Sequence, residues 1–233
     1  MTVMSNSLIL QNVTKLTNRV RLAAQKSQRS PQDISIVAAS KTRSAEIIEQ
    51  AFDAGLTNFG ENYLQEALEK IEQLRALKIV WHFIGPIQSN KTRSIAENFD
   101  WVHSVDRAKV ARRLSAQRPD NLPPLQLCLQ VNISQEPSKS GVLVQELPEL
   151  MQEISELRNI QLRGLMAIPA ATADTHQQLL AFGQMRELLE SVQAMSSTMD
   201  TLSMGMSGDL EVAIAQGSTL IRVGSDIFGP RDR

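Results

Sequence analysis

Short apolar runs alternate along the chain with longer stretches in which apolar residues recur at helical spacing. Eight of these runs predict strands, near 34–40, 57–61, 80–84, 100–105, 125–132, 161–167, 200–204 and 219–223. The stretches between them predict helices near 44–54, 63–77, 91–98, 107–117, 143–157, 175–195 and 209–216. A further helix over about 7–28 opens the chain and ends before Ser30-Pro31.

The alternation of strands and helices predicts a parallel sheet, because neighbouring parallel strands need a crossover connection. The strands lack long polar/apolar alternation, as expected when helices cover the sheet. Eight strands in 233 residues match a (β/α)8 barrel. An open doubly wound sheet is the alternative, but the glycine fingerprint of a dinucleotide fold is missing after the first strand. We predict an α/β protein, with one (β/α)8 TIM-type barrel domain over 1–233 and an additional N-terminal helix.

Composition excludes several classes of partner. Lys and Arg total 24 against 25 Asp and Glu, a net charge of −1, which provides no electrostatic case for nucleic acid or an anionic membrane. No apolar run approaches the roughly 20 residues that span a bilayer, and the N-terminus does not resemble a signal peptide. The single cysteine, Cys128, fits a reducing compartment and a buried position. We expect a cytoplasmic protein, and a monomer, since such a barrel needs no partner to close its site.

Active sites of such barrels lie at the carboxyl ends of the strands, which directs attention to Lys41. It directly follows the first predicted strand, in the sequence Ser40-Lys41-Thr42. Its stem should therefore leave the core, and desolvation favours the neutral amine that Schiff-base chemistry requires. The alternative is a lysine that ends a strand and extends to water.

Two loops predict a phosphate site. Ser207-Gly208-Asp209 opens the short helix near 209–216, and Gly224-Ser225 follows the last strand. Barrels often bind phosphate with the loops after strands 7 and 8. Glycine lets the backbone approach the anion, and the serines add hydroxyl donors. The alternative is ordinary turn and helix-capping chemistry.

Three further residues are candidates. Arg222 lies inside the apolar run LIRVG, where an uncompensated charge is costly, so it requires either a structural carboxylate or a ligand. His82 lies within a predicted strand between two aromatic residues, which favours a hydrogen-bonded core histidine. Asn62 follows the second strand and either contacts a ligand or closes a turn. The three histidines of the chain are scattered, so no metal site is predicted.

Taken together, these segments resemble the pyridoxal phosphate homeostasis protein family over about 34–232. Proteins of that family are single barrels similar to the N-terminal domain of alanine racemase. The segments that carry the resemblance are AASKTR (38–43), FGENYLQEA (59–67), WHFIGPIQSNK (81–91), VNIS and KSG (131–134 and 139–141), GLMAIP (164–169), LSMGMSGDLEVAIAQGST (202–219) and IRVGSDIFGPR (221–231).

The resemblance implies a site for pyridoxal 5′-phosphate (PLP). Lys41 matches the lysine that forms the Schiff base, and Arg222 matches the arginine near the pyridine nitrogen. An arginine stays charged and donates to that nitrogen, so the ring remains a weak electron sink. The phosphate-binding positions match Ser207, Gly224 and Ser225. The other positions that line the family's pocket match Asn62, His82 and Met166.

The family has no established turnover, so the resemblance implies a non-catalytic protein of PLP homeostasis, with apo PLP enzymes as candidate recipients. One alternative is a PLP-dependent amino-acid racemase or decarboxylase. Alanine racemase, however, needs a second domain and a tyrosine base, and the one tyrosine here, Tyr63, begins a predicted helix after strand 2. Another alternative is a barrel isomerase or lyase for a phosphorylated metabolite, which leaves Lys41 and Arg222 without matched roles.

Overall fold

The computed structural model describes residues 6–134, 140–193, 196 and 198–230. Within these ranges, eight strands form a closed barrel in which each pairs with the next and the last pairs with the first, all parallel. The prediction of a (β/α)8 barrel is confirmed. The strands are β1 (Ser35–Ala39), β2 (Asn58–Glu61), β3 (Val80–Phe83), β4 (Trp101–Val105), β5 (Leu125–Gln130), β6 (Ile160–Met166), β7 (Thr201–Ser203) and β8 (Leu220–Val223).

The helices follow the predicted order, with one short addition after the last strand. They are α1 (Asn6–Lys26), α2 (Ala45–Asp53), α3 (Leu64–Gln73), α4 (Thr92–Asn98), α5 (Ala108–Gln117), α6 (Leu147–Ser155), α7 (Thr175–Gln193), α8 (Leu210–Ala215) and α9 (Ser225–Phe228). Positions 194 and 195 of the helix predicted over 175–195 lie outside the described residues, as do Lys139 and Arg231 of the family segments. No described helix is both long and apolar enough to cross a bilayer.

Some predicted helix boundaries were wrong for local reasons. The stretch predicted as one helix over 143–157 begins with a 3-10 turn, Val144–Glu146, before α6. Pro148 lies in the first turn of α6, where its missing N–H has no helical partner to lose. The helix predicted over 63–77 ends as α3 at Gln73, and the next residues form a tight turn in which the Leu77 amide donates to the Leu74 carbonyl.

Closure of the barrel brings distant segments together at one edge. β8 pairs with β1 in a register that places Val223 opposite Ala38, and β7 pairs with β8. The carboxyl ends of β1, β7 and β8 are therefore adjacent. Lys41 and the two predicted phosphate loops follow these three ends, so the topology gathers them although they lie far apart in sequence.

Helix α1 packs against α8 and α9, beside this edge. Its buried face carries the predicted apolar stripe, in which Ile9 and Leu16 are almost completely buried. Polar contacts fix its position: the Asn12 side-chain amide donates to the Ile227 carbonyl at 3.0 Å, and Arg29 donates to the Ile214 carbonyl at 2.8 Å. The additional N-terminal helix is thus part of the barrel's packing.

Candidate functional site

A cavity of about 240 Å³ opens at the carboxyl ends of β1, β7 and β8. Five of the residues predicted from sequence line it: Lys41, Ser207, Arg222, Gly224 and Ser225. The other lining residues are Ala39, Arg43, Met206, Gly208, Phe228 and Gly229. The cationic side chains, the hydroxyl groups and the glycine backbone therefore meet in one place.

Lys41 is half-buried in a turn directly after β1. The next residue, Thr42, has a φ of 65°, a left-handed conformation that is rare for a β-branched side chain. Its amide donates to Glu66 Oε1 at 2.6 Å, and the Arg43 amide donates to the Ser40 carbonyl at 3.0 Å. Contacts from the loop itself and from α3 therefore hold the lysine-bearing turn in a strained conformation.

An ionic cluster (Ser40, Glu61, Glu66 and Lys70), buried except at Glu66, lies beneath this turn. The Lys70 ammonium donates to Glu61 Oε1 at 2.9 Å and to the Ser40 carbonyl at 3.0 Å, and it also pairs with Glu66. The Ser40 hydroxyl donates to Glu61 Oε1 at 2.6 Å. Burial raises the pKa of Glu61, and Lys70 and Ser40 oppose that rise. The cluster thereby ties β1, β2 and α3 together directly under Lys41.

The loop after β7 is shaped by its own backbone contacts. The Met206 amide donates to Asp209 Oδ1 at 2.6 Å, so Asp209 closes the loop that presents Ser207 and Gly208 to the cavity. Gly205 has a φ of 95°, and a Cβ there would lie 2.6 Å from the Cβ of Ala213. The tight turn from β7 into this loop therefore requires glycine.

Arg19 of α1 joins the two predicted phosphate loops, and sequence reasoning did not identify it. Its guanidinium donates to Glu211 Oε1 at 2.7 Å and to the Ser207 carbonyl at 3.1 Å, and it also pairs with Asp226 of α9. One side chain thus connects the loop after β7, helix α8 and the helix that follows β8. We call this group (Arg19, Ser207, Glu211 and Asp226) the Arg19 clamp.

Arg222 lies deep in the barrel, 6% exposed, at the base of the cavity. It donates to Ser203 Oγ at 2.7 Å and to the Ala167 carbonyl at 3.0 Å. No carboxylate of the described residues lies within ion-pair distance of it, so the structural carboxylate considered from the sequence is not observed there. Burial lowers its pKa to about 10, which leaves it charged at neutral pH. A buried cation with neutral partners favours an anionic or electron-rich ligand.

Three residues predicted from the family pattern do not line the cavity. His82 is buried in the barrel interior, and both its ring nitrogens are engaged, with His103 at 2.9 Å and Asn58 at 3.0 Å. Met166 is buried at the end of β6. Asn62 follows β2, and its side-chain oxygen is buried without a hydrogen-bond partner in the described structure. An unsatisfied buried acceptor so close to the lysine-bearing turn remains available to a ligand or water.

Other reactive groups do not compete with this site. Burial raises the pKa of Cys128 to about 12, so its thiol is protonated at neutral pH, as expected for a core residue. Across the part of the chain that the structure describes, no three His, Cys, Asp or Glu side chains are grouped to hold a metal ion.

The lining of the cavity fits PLP in its chemistry. Its charged side chains are Lys41, Arg43 and Arg222, and no carboxylate is among its described lining residues. These cations complement a phosphate, and Ser207 and Ser225 add hydroxyl donors. An amine in the same cavity complements an aldehyde. The fold and this site define a class: a (β/α)8 barrel with a cationic, lysine-containing pocket at the carboxyl ends of its strands.

Comparisons with known proteins identify the family within that class. The model described as "Alanine racemase, N-terminal domain" matches residues 12–232. A pyridoxal phosphate homeostasis protein of Pseudomonas aeruginosa is 54% identical over 226 residues, covering 97% of this chain and 97% of that protein. The protein of the same name from Escherichia coli K12 is 47% identical over 227 residues, covering 96% and 97%. The chain belongs to the pyridoxal phosphate homeostasis protein family.

Solved structures of similar sequence have the same fold. PipY of Synechococcus elongatus with PLP bound superposes with a TM-score of 0.79 at 38% identity, covering 90% of this chain and 98% of that one. A Bifidobacterium adolescentis protein superposes with a TM-score of 0.91 at 33% identity, covering 97% and 98%. Alanine racemase of Corynebacterium glutamicum, at 16% identity and a TM-score of 0.67, shares the fold, and 62% of its chain is covered.

Proposed function

We propose that this protein binds PLP covalently through Lys41 and holds it for intracellular PLP homeostasis without catalytic turnover. The observation that carries the proposal is the meeting of Lys41, Arg222 and the two Gly/Ser loops in one cavity. In this arrangement Ser207, Gly224 and Ser225 bind the phosphate. Arg222 faces the ring nitrogen, and the unsatisfied side-chain oxygen of Asn62 is available to the ligand.

The chemistry required of Lys41 is a reversible condensation. Its neutral amine attacks the aldehyde carbon, a C=N bond forms, and one water leaves. Addition of water reverses the step and releases the aldehyde, so the same residue both retains and returns the cofactor. Phosphate contacts keep the aldehyde next to the amine, which favours the bound form by proximity.

The lining residues favour holding the cofactor over amino-acid chemistry. Bound PLP supplies an electron sink whose strength depends on protonation of its ring nitrogen, and Arg222 offers that nitrogen a donor that does not give up its proton. Racemisation also needs an acid and a base on opposite faces of the substrate. The ionisable side chains that line the described cavity are one lysine and two arginines, and Tyr63 is 55% exposed outside it.

Mass spectrometry after borohydride reduction tests the proposal directly. Hydride converts the C=N bond to a stable amine, and we expect one phosphopyridoxyl group on the peptide that contains Lys41. A reduced protein without the adduct, or with the adduct on another lysine, would refute the assignment. Of these two outcomes, a complete absence of the adduct would favour the phosphorylated-metabolite alternative.

We expect no steady turnover when the PLP-loaded protein is incubated with a panel of D- and L-amino acids. Racemisation is followed by chiral chromatography and decarboxylation by release of CO₂, with free PLP at the same concentration as the control. Rates at or below that control support the carrier. Multiple turnovers per Lys41 above it would instead support the racemase or decarboxylase alternative.

Replacement of Arg19 by glutamine should weaken PLP binding by about three- to tenfold, because loss of the Arg19 clamp releases the Ser207 loop from α9. Fluorescence titration with PLP measures the effect. The matched control is Arg21→Gln, two positions further along the same helix, whose guanidinium contacts Gln25 on the exposed surface. Equal affinities for both variants would show that the clamp does not support the phosphate site.

We also propose that the protein acts as a single-domain monomer in the cytoplasm and passes PLP to apo PLP enzymes. Support for the first point is that the described residues of a single barrel supply Lys41, Arg222 and both Gly/Ser loops to one cavity. Sedimentation velocity tests the monomer. Transfer is tested by reactivation of an apo PLP enzyme in two arrangements. In one, the two proteins are mixed; in the other, a dialysis membrane that passes only free PLP separates them. Faster reactivation on mixing would show that transfer needs contact.

A further inference from the structure

A hydrogen-bond network runs through the barrel interior beneath the cavity. We call it the interior network, and it consists of Asn58, His82, His103 and Ser203. The distances are 3.0 Å from Asn58 Oδ1 to His82 Nε2, 2.9 Å from His82 Nδ1 to His103 Nε2, and 2.7 Å from His103 Nδ1 to Ser203 Oγ. The network ends at Arg222, whose guanidinium donates to Ser203 Oγ at 2.7 Å.

Asn58 Oδ1 only accepts, so His82 Nε2 donates to it and, with both histidines neutral, every further bond of the network has one direction. His82 therefore carries its proton on Nε2, while the Asn58 amide donates to Thr57. His82 Nδ1 accepts, so His103 carries its proton on Nε2 and donates to it. His103 Nδ1 is then an acceptor, so Ser203 Oγ gives it a hydrogen and itself accepts from the Arg222 guanidinium, which only donates.

This pattern requires both histidines to be neutral, and their surroundings enforce it. His82 is 1% exposed and His103 is fully buried. Burial lowers the pKa of His82 to about 3 and, together with the nearby His82 and Arg222, lowers that of His103 well below its ordinary value. Arg222 is therefore the only cation among these five groups at neutral pH.

We propose that the interior network positions the Arg222 guanidinium for the ring of the bound cofactor. The inference rests on the proposed function, because it takes Arg222 as the ring's partner. Two acceptors, Ser203 Oγ and the Ala167 carbonyl, fix the plane of the guanidinium. With its hydrogen donated to His103 Nδ1, Ser203 Oγ is held with its lone pairs toward Arg222. Asn58, His82, His103 and Ser203 are thus positioning residues, which act through Arg222 without contacting the cofactor.

The test is a double-mutant cycle with two readouts, both measured at one pH. The first is the affinity for PLP. The second is the ratio of the two absorption bands of the bound cofactor, one in the near ultraviolet and one in the visible. Ser203→Ala and His103→Phe should each weaken PLP binding about tenfold and change the band ratio. The double variant should remain about tenfold weaker, because both changes interrupt one network. Ser203→Thr keeps the hydroxyl and should restore both readouts.

Asn58→Ala extends the test to the far end of the barrel. Asn58 lies at the start of β2, opposite the cavity, so we expect a changed band ratio in this variant to reach the site through the network. The matched control for Ser203→Ala is Ser115→Ala, which also removes a buried hydroxyl, one that donates to the Arg158 carbonyl on the barrel's outer layer. Thermal unfolding of every variant is recorded in parallel.

The outcomes separate the two proposals. If the wild-type protein forms no Lys41 adduct, the proposed function fails. If it forms the adduct but Ser203→Ala matches Ser115→Ala in affinity and band ratio, or if the effects of Ser203→Ala and His103→Phe multiply to about a hundredfold, the positioning role is refuted. Should His103→Phe not fold, the near-isosteric Ser203→Ala and its rescue by threonine decide the question.

Discussion

Replacing Lys41 with alanine should abolish the visible absorption band that PLP acquires on binding, together with the borohydride-trapped adduct. The reason is chemical: no other amine is among the described residues that line the cavity. Phosphate contacts remain, so PLP should still bind, but at least about 100-fold more weakly, a loss of about 2.7 kcal/mol.

Two further variants separate the charge of Lys41 from its nucleophilicity. Lys41→Arg keeps a cation in the cavity but cannot condense with an aldehyde, so it should lose the band and retain more affinity than Lys41→Ala. Lys78→Ala removes an exposed lysine next to β3 and serves as the control, with an unchanged band. Absorption spectra and titrations measure both quantities. Full retention of the band in Lys41→Ala would overturn the assignment of the site.

Replacing Lys70 with methionine should destabilise the fold by about 3–5 kcal/mol, because it leaves the carboxylate of Glu61 buried without its counter-charge. Glu61 is fully buried and Lys70 is 5% exposed, so water cannot compensate for the loss. At this chain length the change corresponds to a fall in Tm of roughly 10 °C. Calorimetry measures it on the ligand-free protein.

The loss should depend on pH in a defined direction. Burial already raises the pKa of Glu61, and removal of Lys70 takes away a contact that opposes the rise. The folded variant then binds a proton that the unfolded chain has lost, so its stability increases as the pH falls toward the ordinary range of a glutamate. We therefore expect the deficit of Lys70→Met relative to wild type to be largest at neutral pH and smaller in acid.

Two comparisons identify the cause. Glu61→Gln combined with Lys70→Met removes both charges and should recover much of the lost stability. Arg75→Gln breaks the exposed pair with Glu72 and should cost less than about 1 kcal/mol. A deficit that persists unchanged in the double variant would assign the effect to packing of the Lys70 stem instead of to the buried charge.

The barrel and much of the cavity could be predicted from the sequence because their signals are local. Apolar runs such as ISIVAAS mark the strands, and all eight strands were confirmed in order. A topological rule then placed Lys41, Ser207 and Gly224 at one edge, since carboxyl ends of parallel strands share it. The short helix α9 after β8 was missed, because four residues are too few to show helical periodicity.

The family pattern also predicted His82 and Met166 as pocket residues; both are buried and lie outside the described cavity lining, and their contact with a cofactor stays a prediction. Residue type and strand position do not reveal depth along a barrel. Lys41 lies at the mouth of the barrel. His82 lies deeper, and its ring nitrogens form hydrogen bonds with His103 and Asn58.

The sequence by itself determined the order of strands and helices, the lysine and serine positions at the strand ends, and the family. Each of these depends on residues that are neighbours in the chain. The tertiary structure alone decided which distant side chains meet. Arg19 reaches a carbonyl 188 positions away, and His103 reaches a serine 100 positions away, when the last strand closes on the first. Such pairs leave no periodic trace, since the free energy of each contact depends on barrel closure and on the exclusion of water from its interior.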